Sequence, residues 1–248
     1  QNAITGKNAT LSYYYHYALL SVGGELMAAF ETSLAPVSLS PIVMEAVSLG
    51  ADQQQITTFL LPVQANNHPI YNPSLDYSVY LSQPFFFVLF QILILLTTVY
   101  TVGIEIKFRT ATDWLATAKG NMITAVLGKL LPYTFIYILI GWLGNYVMFG
   151  ILHIPFQGSW WLINMITVLF VIATQALGLF IFSLFPAVSL VISVVSMVGS
   201  LGATLSGVTF PVSNMYPLVR DASYLFPVRH FTEMIQTMLY GGGGFIYL

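Results

Sequence analysis

The chain has 248 residues, of which 57% are hydrophobic, 15% aromatic and only 6% charged, with a net charge of -2. Ordinary soluble domains carry about 25% charged residues, so this composition excludes a water-soluble globule and points to an integral membrane protein. The net charge says nothing about nucleic acid, but no basic run that would bind it is present, and the absence of cysteine excludes disulfides, thiol catalysis and cysteine-held metal.

The chain begins at Gln1, without an initiator Met or a signal-like segment, and reads as a fragment or a processed chain. Residues 1–83 are expected to form a small α/β extracytoplasmic domain, itself partial. Thr10 to Leu34 reads as helical with a break at Gly23-Gly24, and Pro41 to Leu49 as a second short helix. Ile56 to Val63 is β-branched and aromatic enough for a strand. The Asn-, Pro- and Ser-rich stretch after it reads as loop.

A transmembrane domain is expected over 84–248. Its first span is Pro84 to Val102, long enough to cross a hydrocarbon core of about 30 Å, with Pro84 in the first turn, where a missing N–H costs nothing. The next spans are Leu130 to Phe149, Trp160 to Leu184 and Val188 to Leu205. From Leu130 to Val219 there is no Asp, Glu, Lys or Arg. Between the first two spans lies the segment 104–129, and Gly103 to Lys129 holds four of the seven basic residues: Lys107, Arg109, Lys119 and Lys129. Basic residues clustered in a short inter-span segment mark the cytoplasmic side. Glu105 and Asp113 are interleaved, and Trp114 and Leu115 supply an apolar edge. This is the composition of an amphipathic helix at the membrane surface that offers a face to a partner. A solvated loop with no partner is the bland alternative.

Alternation then puts 1–83 outside, 150–159 outside, 185–187 inside and 206–248 outside. An external start and an external end imply a parent with six spans, four of them present. In the last external segment, Pro227 opens a helix with apolar positions Val228, Phe231, Ile235 and Met238, which stops at Gly241. The preceding SGVTFPVSNMYPLV is apolar, broken by Pro and too short to span, which suits a re-entrant element.

Two spans carry polar stripes. Ser189, Ser193, Ser196, Ser200 and Thr204 share a face of the fourth span, and Asn164, Thr167, Gln175 and Gly178 a face of the third. Such stripes either pack helices closely or line a translocation path. The four histidines form no metal-ligand pair, no span holds a histidine to serve a serine nucleophile, and no phosphate-binding Gly loop is present.

Taken together, the chain resembles permease subunits of type-2 ABC exporters with a large extracytoplasmic domain between the first two spans. The resemblance rests on Glu105, Thr110, Trp114-Leu115, Gly128-Lys129 and Pro132-Tyr133, on Ser206 to Tyr216 followed by Phe226 to Phe231, and on the NPSLDYSVYLSQP junction. Arg109 stands where the family usually has Gly, and Ala118 where many members have Pro. The resemblance implies a non-enzymatic subunit with no cofactor of its own, ATP being held by cytoplasmic ABC ATPase partners. It implies a coupling helix with Glu105, Arg109, Thr110, Asp113 and Trp114 at or near the ATPase. It also implies an external gate at Phe210, Pro211 and Met215, while the stripes themselves make Asn164, Gln175, Ser193, Ser196 and Ser200 the candidates for a path. A second permease, a periplasmic adaptor, an outer-membrane channel and the lipid bilayer are its expected partners, in a bacterial inner membrane. Drugs, lipids or other amphipathic molecules are the expected cargo. An ion-coupled secondary transporter is the alternative reading. Such carriers usually keep a charge within the membrane, and residues 130–219 have none.

Overall fold

The computed structural model describes residues 9–16, 25, 28–29, 32–33, 63–70, 77–154, 156, 158–185, 187–208, 212 and 215–240. The chain divides into two compact units, Gln1–Tyr80 and Leu81–Leu248. In the first, β1 (Ala9–His16) pairs in parallel with β2 (Val63–Ile70), with Ala9 opposite Val63 and His16 opposite Ile70. This corrects the expected helix from Thr10, since its first residues are strand and only Glu25, Ala28, Ala29, Thr32 and Ser33 are helical among those described. The run Tyr13-Tyr14-Tyr15 already carried the aromatic bias of a strand. β2 also falls where loop was expected, in an Asn- and Pro-containing stretch whose low β-propensity is overridden by pairing with β1. The helix expected over Pro41 to Leu49, and Ile56 to Pro62, lie outside the described residues.

The second unit is helical among its described residues. Among the described residues, four helices are long and apolar enough to cross a membrane. They belong to α1 (Tyr77–Lys107), α3 (Met122–Asn145, continued by a π-helical turn, Tyr146–Ile151), α4 (Trp160–Leu184) and α5 (Val188–Leu205). A short α2 (Ala111–Thr117) joins α1 to α3, and two further helices follow α5, α6 (Pro217–Ser223) and α7 (Pro227–Tyr240). The expected bounds of the third and fourth spans, and the expected start of α7, coincide with these helices. Pro84 is a correction: α1 begins at Tyr77, so Pro84 lies inside the helix. Membrane helices tolerate this where neighbouring groups re-satisfy the freed carbonyl.

Between membrane helices there is no hydrophobic drive, because lipid tails are as apolar as leucine, so close packing must hold the bundle together. α1 is its hub. Toward the connector, Leu95, Val99 and Val102 pack with Leu130, Ile181, Phe182, Val191 and Val195. Toward the other end the core is aromatic. Phe87 meets Phe170 edge-on at 5.5 Å between ring centroids, Phe90 meets Tyr137 at 5.8 Å, and Phe231 of α7 lies 3.9 Å from Phe87. α5 reaches α1 through two glycines. A Cβ on Gly199 would sit 2.6 Å from Ile92, and one on Gly202 would sit 2.6 Å from Gln91 Nε2.

Candidate functional site

The connector is shorter than the sequence suggested and differently built. α1 runs on to Lys107 and α3 starts at Met122, so Glu105 and Lys129 belong to spanning helices and not to a free segment. They face each other. Glu105 Oε1 accepts a hydrogen bond from Lys129 Nζ, and Glu105 Oε2 accepts one from the Thr110 hydroxyl. The two charged side chains are 18% and 20% exposed. The Thr110 N–H also donates to the Glu105 carbonyl at 2.9 Å, and the Trp114 N–H donates to the Thr110 carbonyl at 2.9 Å. Lys129 Nζ stands 5.2 Å from the centre of the Trp114 ring, and Trp114 in turn packs against the Leu95–Val195 core. The result is a clamp: one carboxylate, one ammonium, one hydroxyl and one indole tie α1, α2 and α3 together.

Local sequence explains the turns on either side. Arg109 has φ 59, Lys119 φ 53 and Gly120 φ 78, all in the left-handed region. That region suits Gly and is sparsely populated by other residues, so Arg109 holds a Gly-type turn with a long side chain. Asn121 caps α3, its Oδ1 accepting from Ile123 N at 3.0 Å and Thr124 N at 3.2 Å.

α2 has no buried residue. Trp114 and Leu115 are half-buried, whereas Arg109, Thr110, Thr112, Asp113, Ala116 and Thr117 are exposed. Of the apolar edge, Trp114 turns inward to the core of the helical bundle. The free surface is the opposite one, carrying Arg109, Thr112 and Asp113. Of the residues singled out for coupling, Glu105, Thr110 and Trp114 are joined to each other, while Arg109 and Asp113 stand apart from the clamp.

The two polar stripes diverge. Asn164 and Gln175 face α3. Thr134 Oγ1 donates to Gln175 Oε1 at 2.7 Å, Asn145 Nδ2 donates to Thr167 Oγ1 at 2.9 Å and to Asn164 Oδ1 at 3.4 Å, and Trp142 Nε1 donates to the Asn164 carbonyl at 3.2 Å. On α5, Ser193, Ser196 and Ser200 are exposed, and each hydroxyl donates to a carbonyl of its own helix, at 3.2, 2.8 and 2.9 Å. No other part of the described chain covers this face.

At the other end, Met215 is half-buried, with its N–H donating to the Val212 carbonyl at 3.1 Å, and Phe210 and Pro211 lie outside the described residues. Sequence reasoning missed two groups here. Arg229 is 3% exposed. Its Nη1 donates to Ser223 Oγ at 3.0 Å, its Nη2 lies 3.5 Å from Glu233 Oε2, and its guanidinium sits 4.4 Å from the centre of the Tyr224 ring. Gln91 of α1 is fully buried, and its Oε1 accepts from the Val228 N–H at 2.9 Å. The spacing of Gln83, Gln91 and Thr98 by eight and seven residues places them on one face of α1, and that was the available signal.

The model of the ABC-2 family transporter protein matches residues 1–248. Among curated proteins, the chain is similar to the probable multidrug ABC transporter permease YbhS of Escherichia coli, strain K12 and strain O157:H7. It is 29% identical to each over 121 residues, which is 47% of this chain and 31% of that protein. The aligned part thus spans about a third of the length of these relatives. No solved structure matches the chain.

Proposed function

The chain belongs to the ABC-2 transporter family, and from that premise we propose that it is the membrane permease part of an ATP-driven exporter, with α2 as its coupling helix. The observation that carries the reading is the clamp of Glu105, Lys129, Thr110 and Trp114. A short exposed helix braced against the ends of two spans passes a push on its outer surface to both. Cytoplasmic ATPase subunits dock on the Arg109, Thr112 and Asp113 face. ATP enters only through them, by favouring one permease conformation through differential affinity.

A second permease covers the serine face of α5, so that Ser193, Ser196 and Ser200 line the path between two subunits. Asn164 and Gln175 serve as interhelical bonds beside it, in keeping with their partners on α3. The α6–α7 region with Met215 forms the external gate. The cargo is amphipathic, a drug or lipid. The name of the YbhS relative, a probable multidrug permease, supports the drug reading. The large extracytoplasmic domain, the bacterial inner membrane, the periplasmic adaptor and the outer-membrane channel belong to the same proposal.

The test is a single Cys at Thr112 in the full-length protein with a second Cys in the groove of the ATPase subunit. Nucleotide-dependent crosslinking in membranes is expected. No crosslink, with Thr112→Cys still labelled from the cytoplasm, removes the coupling role of α2.

A further inference from the structure

α7 starts deep inside the bundle. Its Val228 N–H donates to Gln91 Oε1, and Phe231 stacks on Phe87. Numbers rise along α7 as they fall along α1, so the two helices run antiparallel, with α7 on the strip Gln83, Phe87, Gln91 that recurs every fourth residue. Gln91 lies about 15 Å along the helix axis from Leu81, at 1.5 Å per residue, so α7 begins well within the membrane-crossing length of α1. The Gln91 amide supplies an acceptor at a helix N-terminus, where the first N–H groups have no partner in their own helix. Pro227 opens α7 without a donor at all.

The remaining polar atoms of this contact are buried and, among the described residues, without partners. They are Gln91 Nε2, both polar atoms of the Gln83 amide and Thr232 Oγ1. Gln83 is 0% exposed and Thr232 1%. An unsatisfied buried amide destabilises where an apolar residue of similar size would not, and a second arrangement that uses it would offset that cost. The register supplies one. Val228 is level with Gln91, so Thr232, one turn on, is level with Phe87. A shift of α7 by one turn toward the N-terminal end of α1, about 5.4 Å, brings the Thr232 hydroxyl level with Gln83. One hydrogen bond is lost at Gln91 and one is gained at Gln83, which makes a two-position element of the ratchet kind.

We propose that Gln91 and Gln83 are positioning residues for α7: Gln91 latches the helix in its deep position, and Gln83, through Thr232, receives it one turn outward. The permease reading enters only as the cause of the shift, not as a support for the latch.

The test uses full-length protein in membranes with Leu225→Cys, whose site just before α7 is 73% exposed on the protein, and a small membrane-permeant maleimide, which reacts with the thiolate and so faster as the thiol moves toward water. Without nucleotide, Gln91→Leu should raise the labelling rate about 2- to 10-fold, the weight of one hydrogen bond. Gln91→Glu, which keeps an acceptor, should not. Gly202→Ala provides a second route, because its Cβ would press on Gln91 Nε2, and it should raise the rate as well. Gln83→Leu and Thr232→Val should leave the resting rate alone and reduce the nucleotide-driven rise. Equal resting rates for Gln91→Leu, Gly202→Ala and Gln91→Glu overturn the latch. An intact nucleotide-driven rise in both Gln83→Leu and Thr232→Val overturns the second position. If nucleotide has no effect on the parent Leu225→Cys protein, the ATP-driven reading fails, while the resting comparison still decides the latch.

Discussion

The two ends of the helical bundle treat their main polar clusters in opposite ways. At the connector end, Glu105, Lys129 and Thr110 satisfy one another and Trp114 shields the ammonium. At the other end, buried Gln83, Thr232 and half of Gln91 have no partner among the described residues, and Arg229 is held by a hydroxyl, a ring and a distant carboxylate. A fully bonded cluster is stiff and has one arrangement. A partly bonded one costs stability where it sits and leaves room for a second arrangement. On the proposed function, the difference separates where force is passed on from where movement occurs.

The comparison breaks most easily at the clamp. Glu105→Ala or Lys129→Ala leaves a half-buried charge alone, which should cost about 1–3 kcal/mol after discounting for solvent. ATP hydrolysis should then run without matching transport, checked by measuring both rates in proteoliposomes while confirming normal membrane insertion. Next comes Gly199→Leu, whose side chain has no room beside Ile92. Overpacking there should lower stability by about 1–3 kcal/mol, seen as a lower thermal midpoint in detergent.

The two polar stripes sharpen the contrast. Gln175→Leu removes a bond between α3 and α4 and should cost about 0.6–1.7 kcal/mol. Ser196→Ala removes a bond only to its own helix and should change the thermal midpoint little. Equal losses from both would dissolve the distinction. The smallest effect is expected at Arg109, where φ 59 strains a long residue. Arg109→Gly should stabilise the isolated permease by up to about 1 kcal/mol while weakening docking through the lost charge.

How far the sequence alone could go is decided by particular residues. α4 and α5 were legible end to end because charge-free apolar runs are bounded by Trp160, by Pro186 and by Ser206-Gly207. The start of α7 was legible from Pro227. α1 and α3 were read short because Glu105, Lys107 and Lys129 looked like membrane boundaries. In fact Glu105 and Lys129 neutralise each other across two helices, and that pairing is a tertiary fact no window of one helix reveals. The two stripes have the same periodicity, so periodicity could not tell the bonded face of α4 from the bare face of α5. Trp114 was legible as an edge but not as to which side it faced, because that depends on Lys129 lying above its ring.

The most direct test of the clamp is a charge-swap cycle in the full-length transporter: Glu105→Lys, Lys129→Glu and the double variant, each scored by cargo moved per ATP hydrolysed. The account predicts that either single change lowers the ratio by about tenfold or more, as about 1.4 kcal/mol of lost coupling requires, and that the double variant recovers a substantial part of it. A double variant no better than the worse single change, or single changes that leave the ratio untouched, would contradict it.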